Sequence, residues 1–168
     1  ALDAIRFLQG LSLELPVSDI LRGRHDGGRE TWPAIRGGTS EVARSGTDAF
    51  EIRSTWHLRG QQLTHRIRCG IKPVVLVHRE SLVCHGDGQY LFDTHAKTVG
   101  TSAGVLDGRA IKVALKGTGG KNPTQTHSAA ASLMGQLKAS QRVKESVYEW
   151  TSAIQSAMRA ETFLNINP

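Results

Sequence analysis

Between residues 49 and 71 apolar and polar side chains alternate with a period of two. In AFEIRSTWHLR, Phe50, Ile52, Trp56 and Leu58 share one face of a predicted strand. Glu51, Arg53, Thr55, His57 and Arg59 fall on the other. Gly60-Gln61-Gln62 suits a tight reversal, without the Asn-Gly pair that marks the commonest hairpins. The next stretch, LTHRIRCGI, alternates again: Leu63, His65, Ile67, Cys69 and Ile71 against Thr64, Arg66, Arg68 and Gly70. If the two strands pair antiparallel, Arg53, His57, Arg59, Arg66 and Arg68 line one side of a sheet. One face of such a sheet is often buried while the other stays open to a ligand. Beyond Pro73, VVLVHRESLVCHGD predicts a further strand with a turn at Gly86-Asp87-Gly88. QYLFDTHAKTV predicts another, with Tyr90, Phe92 and Thr94 alternating against Gln89, Leu91 and Asp93. After the TSAG loop, RAIKVALK places Ile111, Val113 and Leu115 opposite Lys112 and Lys116, and KGTGGKNPT reads as a breaker.

The period changes toward the C-terminus. From about Ser128 to Met158 there is no proline, and Val143, Val147, Trp150, Ile154 and Ala157 recur at three- and four-residue spacing. Gly135 or Ser140 is placed to divide this region into two helices, with Arg142 and Lys144 facing solvent. Residues 1–46 are expected to be extended segments and loops. Leu11, Leu13 and Leu15 alternate up to Pro16, Gly27-Gly28 and Gly37-Gly38 read as turns, and Trp32 stands between them as an anchor. The expectation is one α+β domain: an N-terminal extended or hairpin region (1–46), an antiparallel sheet (49–116) and a C-terminal helical region (128–160).

Composition narrows the function. The 168 residues are 39% hydrophobic and 21% charged, the balance of a globular chain. No signal peptide is visible, and runs such as VVLV are too short to cross a bilayer, so no membrane partner is expected. Cys69 and Cys84 are too few for a disulfide framework or a cysteine zinc site. Both a single disulfide and two reduced thiols are compatible with them. The formal charge is +6, and residues 51–85 hold six basic side chains against Glu51 and Glu80. That concentration suits a phosphate backbone or another acidic surface. A merely solvated basic face is the plain alternative.

Enzyme signatures are weak. No HExxH, GxSxG or GxGxxG occurs, and the seven histidines lack metal-site spacing. KGTGGKNP departs from a P-loop: Asn122 follows Lys121 where Ser or Thr is needed, and Leu115 occupies the first glycine position. No catalytic residue, metal or cofactor is expected. A small RNase-like enzyme using histidines, and a cellular nucleic-acid-binding module, stay open as alternatives.

The adjacent strands EIRSTWHLRGQQLTHRIRCGI and the tail RVKESVYEWTSAIQSAMRAETFLNINP resemble the coat proteins of single-stranded RNA bacteriophages, over about a third of the chain. The charged, Gly-rich segment 21–46 and the GTGGKNPTQTHS stretch depart from compact members of that family. The resemblance implies a homodimer with a continuous intersubunit sheet, helices crossing onto the partner, and dimers forming an icosahedral shell. It implies single-stranded RNA held by the inner sheet surface, assembly in a host cytoplasm, and a virion as destination. Arg53, His57, Arg59, Arg66 and Arg68 are the positions that would contact phosphate. Val143, Val147, Trp150 and Ile154 would form an intersubunit core, although an ordinary intrachain stripe fits them equally.

Overall fold

In the structure, a computed structural model, residues 2–43, 46–94, 104–105 and 110–163 are described. The chain opens with two helices, α1 (Leu2–Ser12) and α2 (Val17–Arg22), followed by a hairpin of β1 (Arg24–Asp26) and β2 (Arg29–Trp32) and a single helical turn, α3 (Gly38–Glu41). The sheet strands are β3 (Ala49–Leu58), β4 (Gln61–Gly70), β5 (Leu76–Cys84), β6 (Gln89–Asp93), β7 (Gly104–Val105), β8 (Ala110–Leu115) and β9 (Thr124–Ser128). A long helix, α4 (Glu145–Phe163), closes the chain. The fold is α+β, an antiparallel sheet followed by C-terminal helical structure, as the alternating pattern predicted.

The strands form an antiparallel meander in the order β3-β4-β5-β6-β8, with β6 and β7 sharing one edge of β8 and β9 pairing its other edge. One face is apolar. Leu63, Ile67, Leu82, Phe92, Ile111, Val113 and Leu115 are buried there against Phe7 and Leu11 of α1, Ile20 and Leu21 of α2, and Val147, Ile154 and Met158 of α4. Each such side chain contributes roughly 1.5–3 kcal/mol by leaving water. α1 and α4 pack on each other, and the Arg159 guanidinium of α4 donates to the Ser12 carbonyl at the C-terminal end of α1. That contact satisfies an orphan carbonyl and sets a cation where the helix dipole favours one. Gly10 lets α1 and α2 meet closely: a Cβ there would come within 2.6 Å of Ile20.

Several expectations need correction. Residues 2–22 are largely helical, not an extended arm, whereas β1 and β2 form a hairpin at the turn expected for Gly27-Gly28. Phe7 and Leu11 stand at four-residue spacing and are buried, while Leu13, which strand alternation would place beside Leu11, is 46% exposed. The long helix begins at Glu145, and between residues 128 and 144 only a short 3-10 turn, Leu133–Gly135, is helical. Residues 128–144 are committed elsewhere because neighbouring elements use their backbone. The Val77 amide donates to the Ala129 carbonyl (2.7 Å), the Val17 amide to Ala130 (2.8 Å), and Lys144 donates to Lys116 (2.9 Å). What looked like a breaker after Gly117 ends in a strand, Thr124–Ser128, rather than in loop.

Two bulges also reset the alternation. Cys69 pairs with Val77 and Arg68 with Arg79, so His78 is the extra residue between them. Val77 and Arg79 therefore face opposite sides despite their even spacing. In β6 the extra residue is Leu91: Phe92 pairs with the buried Leu82 and Tyr90 with Val83, so Tyr90 and Phe92 part company too. Most of the TSAG loop, His95 and the expected extended tail lie outside the described residues.

Candidate nucleic-acid interface

The sheet face away from the helices is polar. The β3–β4 register sets Glu51 opposite Arg68, Arg53 opposite Arg66, Thr55 opposite Thr64 and His57 opposite Gln62. On β5, Arg79 lies opposite Arg68 and Ser81 opposite Arg66. By the same register Tyr90 and Asp93 of β6 and Lys112 of β8 complete the face. Of the five residues predicted for it, Arg53, His57, Arg66 and Arg68 are brought together.

Arg59 is not. Arg59 and Gly60 form a two-residue turn with φ of 50° and 74°, the geometry of a type I′ hairpin. That turn takes Arg59 off the ladder and toward the helices, where its guanidinium carbon lies 6.0 Å from the Trp150 ring centroid. An arginine over an indole face is a cation–π contact.

Arg79 and Lys112 were not among the predicted site residues. Plain alternation would have put Arg79 beside the buried Val77, and only the bulge at His78 turns it outward. Lys112 carried a legible signal, since it alternates against Ile111 and Val113.

The electrostatics of this face are unusual for a purely structural sheet. Two arginine pairs, Arg53–Arg66 and Arg68–Arg79, stand directly opposite each other across neighbouring strands. Like charges in that position are destabilising. Two carboxylates offset part of this: Glu51 bonds Arg66 at 3.1 Å and Asp93 lies 3.8 Å from Arg79. Arg53 and Arg68 have no ion pair among the described residues, and the buried Nε of Arg79 has no hydrogen-bond acceptor among them. The face therefore offers forked donors in excess of its own acceptors, which is what a row of phosphate oxygens supplies. The phenol of Tyr90 is held by the Asn122 side-chain amide (2.8 Å), and Asn122 also accepts from the Gly117 amide (3.2 Å). The Lys116–Pro123 loop thus closes on itself through Asn122.

A second cluster, on the helical side, has catalytic residue types without catalytic geometry. His65 and Glu80 are fully buried, with Nε2 2.8 Å from Oε1. Ser132 donates to that same oxygen at 2.7 Å, and the Leu133 amide donates to Oε2 at 2.7 Å. A nucleophilic triad needs the histidine between hydroxyl and carboxylate. Here the carboxylate is central and serine and histidine both turn to it, so the group clamps the 131–136 segment onto the sheet. Cys69, on the same face, has its thiol pushed well up by burial and then by Glu80, which keeps it protonated and unreactive. Cys69 and Cys84 are both free and buried. Among the described residues no group of three His, Cys, Asp or Glu is placed to hold a metal ion, and no helix is long and apolar enough to cross a membrane.

Val147 and Ile154 of α4 and Val143 just before it are buried in the core of their own chain, and Trp150 is half-buried beside them. No family model, no curated protein and no solved structure matches the chain.

Proposed function

We propose that this chain is an RNA-binding structural protein, a coat-type subunit whose sheet face away from the helices holds single-stranded RNA. The observation that carries the RNA half of this reading is the pair of opposed arginines, Arg53–Arg66 and Arg68–Arg79, on an exposed face. A sheet spends stability to hold four guanidinium groups this way, and an anionic strand recovers it. Among the described residues the surface is a sheet with no helix standing out to enter a duplex groove, and such surfaces suit strands with unstacked bases. Contacts of this kind give affinity and position rather than sequence preference. Tyr90 supplies one aromatic ring at the margin of the face.

The assembly half rests on the sequence resemblance to phage coat proteins: subunits pair with their sheets continuous, and pairs build an icosahedral shell. A cellular RNA-binding module would use the same face and differ in staying small. Light scattering on the purified protein, with the 260/280 absorbance ratio recorded, separates the two. The coat reading expects a megadalton particle containing RNA, and one or two chains free of nucleic acid overturn it. For the face itself, anisotropy titration with a labelled single-stranded RNA at low salt reports affinity. Arg53→Ala with Arg68→Ala should weaken binding by about a hundredfold or more, since each charge-assisted bond is worth roughly 1.5–3 kcal/mol. Unchanged affinity in that double variant would remove the face from consideration.

A further inference from the structure

The two edges of the sheet are finished differently. At the β9 edge Gln136 acts as a clasp. Its side-chain oxygen accepts from the Ser128 amide (3.0 Å) and its nitrogen donates to the Ser128 carbonyl (3.0 Å), so one side-chain amide takes the place of a neighbouring strand. Gln125 reaches the Lys138 carbonyl at 3.2 Å, which keeps the 135–138 segment alongside. At the opposite edge, β3 has ten residues, and among the described residues no strand pairs with its outer side. Long open edges are templates for a further strand, and proteins usually blunt them. β3 has no proline and no bulge in its pairing with β4. On the helical side of this edge lies an apolar groove of about 390 Å³ lined by Ile5, Leu8, Trp56, Leu58, Ala157 and Met158 among others. Ile5 and Leu2 of α1 are 37% and 66% exposed at its side.

We infer that β3 pairs antiparallel with β3 of a second copy about a two-fold axis through Ser54. This names the edge and the register of the subunit pairing in the coat reading, and its grounds are the structure's own. The strand is complementary to itself in that one register. Residues directly opposite in an antiparallel pair share a face. With Ser54 opposite Ser54, Phe50 meets Leu58 and Ile52 meets Trp56 on the apolar side, while Glu51 meets His57 and Arg53 meets Thr55 on the polar side. Nine of the ten strand residues are used, and no pair sets like charges together or an apolar residue against a charged one. A shift that centres the axis on Arg53 sets two arginines against each other. One centred on Thr55 sets Arg53 against His57, and one centred on Ile52 leaves Trp56 and Leu58 beyond the partner strand. Registers offset by one residue would join the apolar face of one copy to the polar face of the other. The occupant is a second copy because the edge is its own best complement, and a two-fold makes both copies gain the same contacts. Pairing also sets the grooves and the exposed apolar residues of both α1 helices on the same side of one sheet.

The test is oxidative cross-linking of full-length Ser54→Cys, with Thr55→Cys and Ile52→Cys as register controls. The native cysteines are buried and do not compete. Mild oxidation should convert most of the Ser54→Cys protein to a covalent dimer on a non-reducing gel, with several-fold less from either control. Equal cross-linking at Ile52 or Thr55 overturns the register, and a monomer by light scattering at micromolar concentration overturns the pairing. Glu51→Arg and His57→Glu should each weaken the dimer, and the double exchange should restore it. A Ser54→Cys protein that cross-links as expected, from a wild type that holds no RNA, refutes the RNA-binding reading alone. A wild type that binds RNA as a monomer refutes the pairing and the coat assembly and leaves the RNA-binding face standing.

Discussion

Glu80 is a carboxylate with no access to water, surrounded by donors: His65, the Ser132 hydroxyl and the Leu133 amide. Removing one partner of such a group leaves the others buried and unsatisfied, which costs far more than the group contributes when paired. Glu80→Ala should lower stability by about 3–5 kcal/mol, read from the urea midpoint. A loss near zero would mean that the 131–136 segment is held by its backbone contacts alone. Little at this scale was legible beforehand. Alternation placed His65 on the apolar face correctly, but nothing in HRESLVC marks Glu80 as its partner, because the two are fifteen residues apart and meet only through strand pairing. Arg79 was hidden for a different reason: period-two reading assumes an unbroken ladder, and one bulged histidine inverts everything after it. Gly70 admits that bulge, since a Cβ there would come within 2.3 Å of the His78 ring.

Elements that carry their own periodicity were read well, and those defined by distant partners were not. β3, β4 and β8 have unambiguous patterns and appear where expected, and β5 appears where expected although its bulge breaks the alternation. The last helix shows its stripe from Val147 to Met158. The segment before it has no proline and only Gly135 as a break, and so looks helical, yet its amides and carbonyls are claimed by β5, α2 and the turn after β8. α1 failed in the opposite sense, because three leucines at every second position mimic a strand at the C-terminal end of a helix. β9 is too polar for any apolar pattern, and it exists because β8 offers it a ladder. Its outer edge depends on Gln136, whose side chain makes hydrogen bonds with Ser128, Ala131 and Ser132. Gln136→Ala should cost about 1–3 kcal/mol, summing several partly exposed bonds. It should also promote concentration-dependent aggregation through the uncovered strand. Chemical denaturation with light scattering checks both, and an unchanged midpoint would reduce the clasp to an incidental contact.

The whole molecule is a two-sided slab, with helices and the core on one side and guanidinium groups on the other. Charge and composition indicated the second side, and alternation assigned four of its residues, but which strands lie next to which is a matter of topology that one-dimensional pattern does not contain. If phosphates occupy this face, binding should respond to ionic strength in a counted way. For single strands the logarithm of affinity falls against the logarithm of salt with a slope of about −0.7 per phosphate engaged. Removing Arg53 and Arg68 together should make that slope shallower by about 1.4, twice the single-phosphate value. Titrations at several salt concentrations measure it, and parallel lines for wild type and variant would show that neither arginine touches the backbone.

The unequal edges carry a stoichiometric consequence. A building block with two joining ends adds copies indefinitely and yields a ribbon, the route by which edge-to-edge addition leads to fibres. A block with one joining end is monofunctional: its first reaction is also its last. With Gln136 occupying one margin and β3 unpaired on its outer side among the described residues, lateral growth by the inferred β3 pairing stops at two. Any larger body made from this chain must then be built through surfaces other than strand edges.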